Sequence, residues 1–301
     1  MEFGKLQDIS HVDFSLPPDS VGTQKILGKL KPQESEILIG CPAWSCKEWV
    51  GKIYPKGLKP RDFLTQYAKN FSTIELNTTY YSTPKREVVE RWATVTPDYF
   101  KFCPKISSQI SHYRRLGNCN LLIQEFCDAF LPLGEKLGCM FLQLPPNFTT
   151  NEAGKLISFI ENFPIGYQMA VEFRHASWFK EQADFEVVCK VLESRNFLTV
   201  ITDVAGRRDV LHQRLTTGNV MLRFVGNSLH ETDFIRIGYW VEKLKEWIDK
   251  GASQVYFFTH EPEDVLCPEL ADFLVKELNS KALETPVSPK FLNQGIQGSL
   301  F

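Results

Sequence analysis

Glu75, Lys105, Glu172, Asp203 and Arg223 each stand within or at the end of a short apolar run: TIELN, FKFCPK, MAVEF, LTVITD and VMLRF. An ionisable side chain in such a place is costly unless it is paired or used. Glu75, Glu172, Asp203 and His260 offer oxygen and nitrogen donors of the kind that hold Mg, Mn or Zn, although no H-E-x-x-H spacing gathers them locally. Lys105, Arg174 and Arg223 suit a phosphate or a carboxylate. Trp44, Tyr80 and Trp178 present flat faces to a sugar ring or a base. A buried Glu75 or Glu172 can serve as a general acid or base, and His112 or His260 can do so without a shifted pKa. Paired carboxylates also run glycoside hydrolysis. No G-x-S-x-G turn offers a serine nucleophile. Each residue has a structural alternative: Glu172 and Arg174, two apart, as an ion pair, Asp203 as a helix cap, and His112 as a loop residue.

The elements that must position these groups are read from periodicity. Eight apolar runs rich in β-branched and aromatic residues span 37–41, 73–77, 100–105, 139–144, 169–173, 198–203, 220–224 and 255–259. Amphipathic stretches separate most of them. PRDFLTQYAKNF puts Phe63, Leu64, Tyr67 and Phe71 on one face, KREVVERWATV does so with Val88, Val89 and Trp92, and a long pattern from Asp233 stops at Gly251. Further helices are expected over 119–137, 151–163, 183–196 and 264–279, with only a short or irregular one between the sixth and seventh runs. Eight near-continuous apolar strands alternating with helices predict a parallel sheet buried on both faces, and eight strands close a (β/α)8 TIM barrel of roughly 250 residues. An open doubly wound sheet is the alternative, but GCPAWS is no glycine-rich phosphate loop. The predicted organisation is one barrel domain over 36–279, an N-terminal extension over 1–35 and a flexible tail over 280–301. Barrel enzymes carry their chemistry at the C-terminal ends of the strands, where the residues above fall.

An apolar fraction of 43% and a net charge of −2 fit a soluble globular chain and exclude a strongly basic nucleic-acid coat. MEFGKLQDIS has no signal-peptide pattern, and the eight cysteines form no C-x-x-C pair, so a reducing, cytoplasmic setting is expected.

The same stretches carry a resemblance. IGCPAWSCKEWVGKIYP, FSTIELNTTYYSTP, FKFCPKISSQISHYRRL, LGCMFLQLPPNF and VEFRHASWF, in order from about residue 37 to 260, resemble the domain-of-unknown-function 72 family. The resemblance implies a TIM barrel related in shape to sugar isomerases and endonuclease IV-like enzymes. It implies signature roles for Trp44, Trp49, Tyr54, Pro55, Glu75, Asn77, Thr79, Tyr81, Lys105, His112, Gln143, Pro145, Glu172, Arg174, His175 and Trp178. FFTHEP replaces the family's asparagine-rich turn, so His260 and Glu261 inherit no role.

The chain ends in QGSLF, which resembles the short peptide that docks bacterial proteins on the replication sliding clamp, through Gln297, Leu300 and Phe301; Gly298 departs from it. The combined expectation is an enzyme with an anionic-ligand site at the barrel mouth. Its catalytic candidates are Glu75, Lys105, His112, Glu172 and Asp203, and its ligand-binding candidates are Trp44, Asn77, Tyr81, Gln143, Arg174, His175, Trp178 and Arg223. One version is metal-assisted phosphodiester or DNA-repair chemistry delivered by the tail. The others are a sugar or sugar-phosphate isomerase or hydrolase, and a non-catalytic ligand-binding adaptor.

Overall fold

Eight parallel strands form where the apolar runs lie: β1 (Glu36–Cys41), β2 (Thr73–Leu76), β3 (Lys101–Pro104), β4 (Met140–Gln143), β5 (Met169–Glu172), β6 (Leu198–Asp203), β7 (Asn219–Val225) and β8 (Gln254–His260). The computed structural model of the chain describes residue 4, residues 6–180 and residues 182–292. The strands pair in the order β3-β2-β1-β8-β7-β6-β5-β4. The two ends meet through isolated bridges Phe102–Leu137 and Lys105–Phe141 and a hydrogen bond from Ile106 N to Phe141 O of 2.9 Å. The result is a nearly closed (β/α)8 barrel.

The helices follow the amphipathic stretches. α1 (Val21–Leu27) precedes β1. α2 (Phe63–Tyr67), α3 (Arg86–Val95), α4 (Asn120–Asp128), α5 (Ala153–Glu161), α6 (Ser177–Lys180), α7 (Gln182–Ser194), α8 (Glu231–Asp249) and α9 (Cys267–Ser280) wrap the barrel. Only a pair of 3-10 turns over Ala205–Val210 joins β6 to β7, as the sequence indicates. The long α8 starts at a capping box between His230 and Asp233 and buries Ile237, Trp240, Val241, Leu244 and Trp247.

Alternation along the strands separates two apolar sets. Ile37, Ile39, Ile74, Phe102, Met140, Val171, Leu222 and Phe257 face outward under the helices. Leu38, Cys103, Phe141, Ala170, Val200, Met221, Tyr256 and Phe258 fill the bore. β1 brings no side chain to the next layer, because Gly40 sits against β2: a methyl group there would lie 2.2 Å from the Thr73 carbonyl oxygen.

The N-terminal segment packs outside the barrel. Phe14 lies 5.0 Å from the Arg236 guanidinium, Trp247 Nε1 donates to Asp19 at 3.2 Å, and Thr23 Oγ1 donates to Gln213 O at 2.6 Å. The structure differs from the sequence reading at 280–292, expected as flexible. Leu283 is buried, Phe291 packs on the core, Lys290 N donates to Asn70 Oδ1 at 2.8 Å, and Leu292 N donates to Lys52 O at 2.9 Å. Sparse apolar residues that lack a period still dock when a groove is present. Among the described residues no helix is long and apolar enough to cross a membrane, and all eight cysteines are free thiols.

Candidate functional site

Moving two residues on from the apolar bore, toward the C-terminal ends of the strands, brings a polar layer. Cys103 is followed by Lys105, Phe141 by Gln143, Ala170 by Glu172, Val200 by Thr202, Met221 by Arg223 and Phe258 by His260, with Glu75 from β2. Strand period alone therefore stacks one polar residue from seven strands over the same apolar floor.

Arg223 is the hub. Its Nε and Nη2 donate to Glu75 Oε2 and Oε1 at 2.7 and 2.9 Å, and its Nη1 reaches Glu172 Oε1 and Oε2 at 3.1 and 3.0 Å. Asn77 Nδ2 donates to Glu75 Oε1 at 2.8 Å, and His260 Nε2 lies 3.0 Å from Glu75 Oε2. Gln143 Nε2 donates to Glu172 Oε2 at 2.7 Å, and Thr202 Oγ1 donates to Glu172 Oε1 at 3.0 Å. Each of the four carboxylate oxygens is thus met by two donors. Burial alone would push the Glu75 carboxyl up, but Arg223 and His260 hold it well below the usual carboxylate range. Glu172 is likewise lowered, against its burial, by Arg223, Arg174 and Gln143.

Lys105 is held differently. Its backbone is pinned on both sides: Lys105 N donates to Leu76 O at 3.3 Å, and Thr79 Oγ1 donates to Lys105 O at 2.7 Å. Its ammonium lies 4.8 Å from the centre of the Tyr80 ring and 5.7 Å from that of Phe141, and makes no ion pair or hydrogen bond among the described residues. Burial and then the Arg223 charge bring its pKa down to about 8, against the opposing pull of Glu75 and Glu172. Arg174 is buried beside it, with its pKa lowered to about 10 by burial.

His112 arrives on a π-helical turn, Gln109–Tyr113, after β3. Its Nδ1 lies 2.9 Å from Ser111 Oγ and its ring stands edge-on to Tyr80 at 5.2 Å. Burial, then the Lys105 and Arg174 charges, push its pKa down to about 4, so it is neutral at neutral pH. The following loop holds Arg115, Leu116 and Asn118 at φ of 47°, 65° and 49°, a strained backbone. Arg115 anchors it by donating to Asn147 Oδ1 at 2.8 Å and to Glu152 Oε1 at 3.0 Å.

The structure thus brings together Glu75, Asn77, Lys105, Gln143, Glu172, Arg223 and His260, with His112 and Arg174 beside them. Asp203 falls on the opposite face of β6 from Thr202. It is bound by Arg208, by Arg236 Nη2 at 2.8 Å and by Trp240 Nε1 at 2.6 Å, under the helices. Trp178 is core: its Nε1 donates to Phe148 O at 2.8 Å and its ring packs on Phe173. Trp44 packs edge-on against Trp92 at 5.5 Å, and Tyr81 is 79% exposed. His175 Nδ1 accepts from Ser177 N at 3.1 Å, which ties it to the start of α6. Thr202 was missed by sequence reasoning; the signal for it was its place two residues after Val200. Among the described residues no three His, Cys, Asp or Glu side chains gather to hold a metal ion. Gln297, Leu300 and Phe301 lie outside the described residues. A groove of about 750 Å³ between Val12–Leu16 and α8, lined by Ile235, Tyr239 and Lys243, shares no residue with this layer.

Glu261, just past β8, is a separate buried acid. Its Oε2 accepts from Ser228 N at 2.8 Å, its Oε1 meets no donor among the described residues, and burial followed by the Asp233 charge raises its pKa to about 7. The folded protein therefore holds this proton more tightly than the unfolded chain, whose carboxyl titrates near 4.5. Its contribution to stability is present below pH 4.5 and is lost as pH rises to about 7. Glu261→Gln is expected to gain about 3 kcal/mol of stability relative to the parent between pH 4.5 and pH 8. Urea titrations at the two pH values check this; parallel pH dependences would refute it.

With the geometry in hand, comparison with known proteins places the chain. The family model described as "Protein of unknown function DUF72" matches residues 38–292. UPF0759 protein YecE of Escherichia coli K12 is 32% identical over 276 residues, covering 86% of this chain and 98% of the relative. UPF0759 protein YunF of Bacillus subtilis is 26% identical over 150 residues, covering 48% of this chain and 52% of the relative. The crystal structure of a DUF72 family protein from Enterococcus faecalis superimposes with a TM-score of 0.68 at 20% identity, covering 87% of this chain and all of that one.

Proposed function

Since the chain belongs to the DUF72 family, whose description names no reaction, we propose its function from the barrel mouth: an enzyme that binds a small anionic molecule there and performs acid–base chemistry on it. The observation that carries this reading is the unequal pairing of the layer. Both carboxylates are engaged by one arginine, whereas among the described residues the Lys105 ammonium meets only the faces of Tyr80 and Phe141. Among the described residues the Lys105 ammonium therefore has no ion partner of its own, and an oxyanion can supply one. In this reading Lys105 and Arg174 hold the anion, Arg223 is fixed as a rigid positive floor, Lys105 exchanges protons near neutrality, and His112 stands by as a neutral imidazole that can accept one.

Metal-assisted phosphodiester chemistry has less support. A cation between Glu75 and Glu172 would have to displace Arg223 and the amide and hydroxyl donors that fill the carboxylate oxygens. Glycoside hydrolysis needs a carboxylic acid kept protonated, and both glutamates are held in their charged form. The phosphate position common in barrels, after β7 and β8, is taken by the chain's own carboxylates: Asp233 Oδ2 accepts from Asn227 N at 2.7 Å and from His230 N at 3.0 Å, and Glu261 accepts from Ser228 N. This favours a small carboxylate at the mouth over a sugar phosphate bound in the usual manner.

Thermal unfolding in the presence of inorganic phosphate, glyoxylate, pyruvate or neutral polyols tests the proposal. Anions are expected to stabilise the protein, by about 2.7 kcal/mol at a hundred times their Kd, and Lys105→Met is expected to weaken that response at least about tenfold. Equal responses of parent and variant, or a response to polyols alone, would sink the reading.

A further inference from the structure

Lys105 stands where a barrel can hold a reactive amine. It extends from the C-terminal end of β3, its backbone is fixed by Leu76 and Thr79, and its side chain is only 2% exposed. Aromatic faces hold a cation but accept no proton, so Tyr80 and Phe141 place the nitrogen without engaging its lone pair. The charges that face it come from every packed neighbour. Arg223 on β7 and Arg174 after β5 repel the ammonium. Glu75 on β2 and Glu172 on β5 attract it, but both carboxylates are bound to Arg223. His112, on the turn after β3, is neutral. A desolvated lysine beside another cation is the arrangement that makes an amine nucleophilic near neutral pH.

We propose that Lys105 forms a Schiff base with a small anionic aldehyde or ketone, such as a 2-oxo acid, bound at the barrel mouth. This deepens the anion-site reading and rests on it for the class of substrate. The lone pair of neutral Nζ adds to the carbonyl carbon, and the π pair of the C=O bond moves to oxygen. One proton passes from nitrogen to that oxygen, giving a carbinolamine. A second proton, from solvent, lets the hydroxyl leave as water while the nitrogen lone pair closes the C=N bond of a protonated imine. No oxidant or reductant is consumed. The imine nitrogen then draws electrons from the adjacent carbon, whose proton the neutral imidazole of His112 can accept. The carboxylate of the substrate balances the positive charge formed on nitrogen.

The test uses the full chain at pH 7, with cyanoborohydride and limiting formaldehyde or glyoxylate, followed by peptide mapping. Lys105 is expected to be labelled about tenfold or more ahead of the exposed Lys59 and Lys85, because a lysine lowered to about 8 carries a much larger share of neutral amine at this pH than an ordinary lysine does. Glyoxylate is expected to widen the margin over formaldehyde. Lys105→Arg, which keeps the charge and removes the amine, should lose that label while Lys59 and Lys85 keep theirs. If Lys105 lags behind Lys59 and Lys85 with both reagents, the Schiff-base inference is overturned; anion stabilisation measured separately would then still uphold the site. If formaldehyde labels Lys105 first and glyoxylate does not, the amine stands and the anionic substrate class is overturned.

Discussion

Arg223→Met is expected to lower the melting temperature by about 10 °C and to reverse the protein's response to acid. In the parent, Glu75 and Glu172 titrate below their unfolded values, so their contribution is present above pH 4.5 and is lost as pH falls through their lowered pKa values. Without the guanidinium, two carboxylates with almost no exposure keep neutral donors, His260 and the neighbouring Arg174 and Lys105 charges, and lose every forked contact. Removing one partner of a buried pair typically costs about 3–5 kcal/mol, and here one arginine serves two acids. Burial then raises both carboxyls, so the variant is stabilised as pH falls toward 4.5, the opposite of the parent. Arg223→Lys should fall between, because one ammonium cannot reproduce the forked contacts. The triple variant Glu75→Gln, Glu172→Gln, Arg223→Met should recover part of the loss, since neither carboxylate is left without its arginine, while Lys105 and Arg174 lose the attraction of both acids. Melting curves from pH 4.5 to 8 measure this. A single variant that melts within about 2 °C of the parent, with the same pH slope, would show that Arg223 is not the hub.

Asp203→Ala carries the second large effect, and it separates two roles that the sequence leaves open. The Asp203 carboxylate receives Arg208, Arg236 and Trp240. Arg236 is wholly buried, with Asp233 at 3.2 Å as its remaining acid. Loss of Asp203 should cost about 3–5 kcal/mol. The anion response of the molecules that stay folded should be unchanged, because Asp203 faces the helices and not the bore. Glu172→Gln should do the reverse in kind, altering the anion response through Arg223 and Lys105. If Asp203→Ala kept its stability and lost the anion response, Asp203 would belong to the mouth.

How far the sequence carries the reader is visible in single residues. The eight strands were legible because buried parallel strands read as unbroken apolar runs, and Glu75, Lys105, Gln143, Glu172 and Arg223 stood out as polar interruptions of them. The same spacing shows that Thr202 and Asp203 face opposite sides, but not which side is the bore. Closure of the barrel decides that, and it turned the threonine to Glu172 and the aspartate to α8. Trp44 and Trp178 were legible as large flat side chains; packing against Trp92 and Phe173 assigns both to apolar contacts.

Residue type and local period determined the elements, the count of strands and the set of groups at the strand ends. Tertiary structure decided who meets whom. Glu75 and Arg223 are 148 residues apart in the chain, and no local rule pairs them. Only closure of the barrel brings β2 and β7 across one bore, where a desolvated arginine must find both carboxylates and the lysine after the neighbouring β3 is left with aromatic faces.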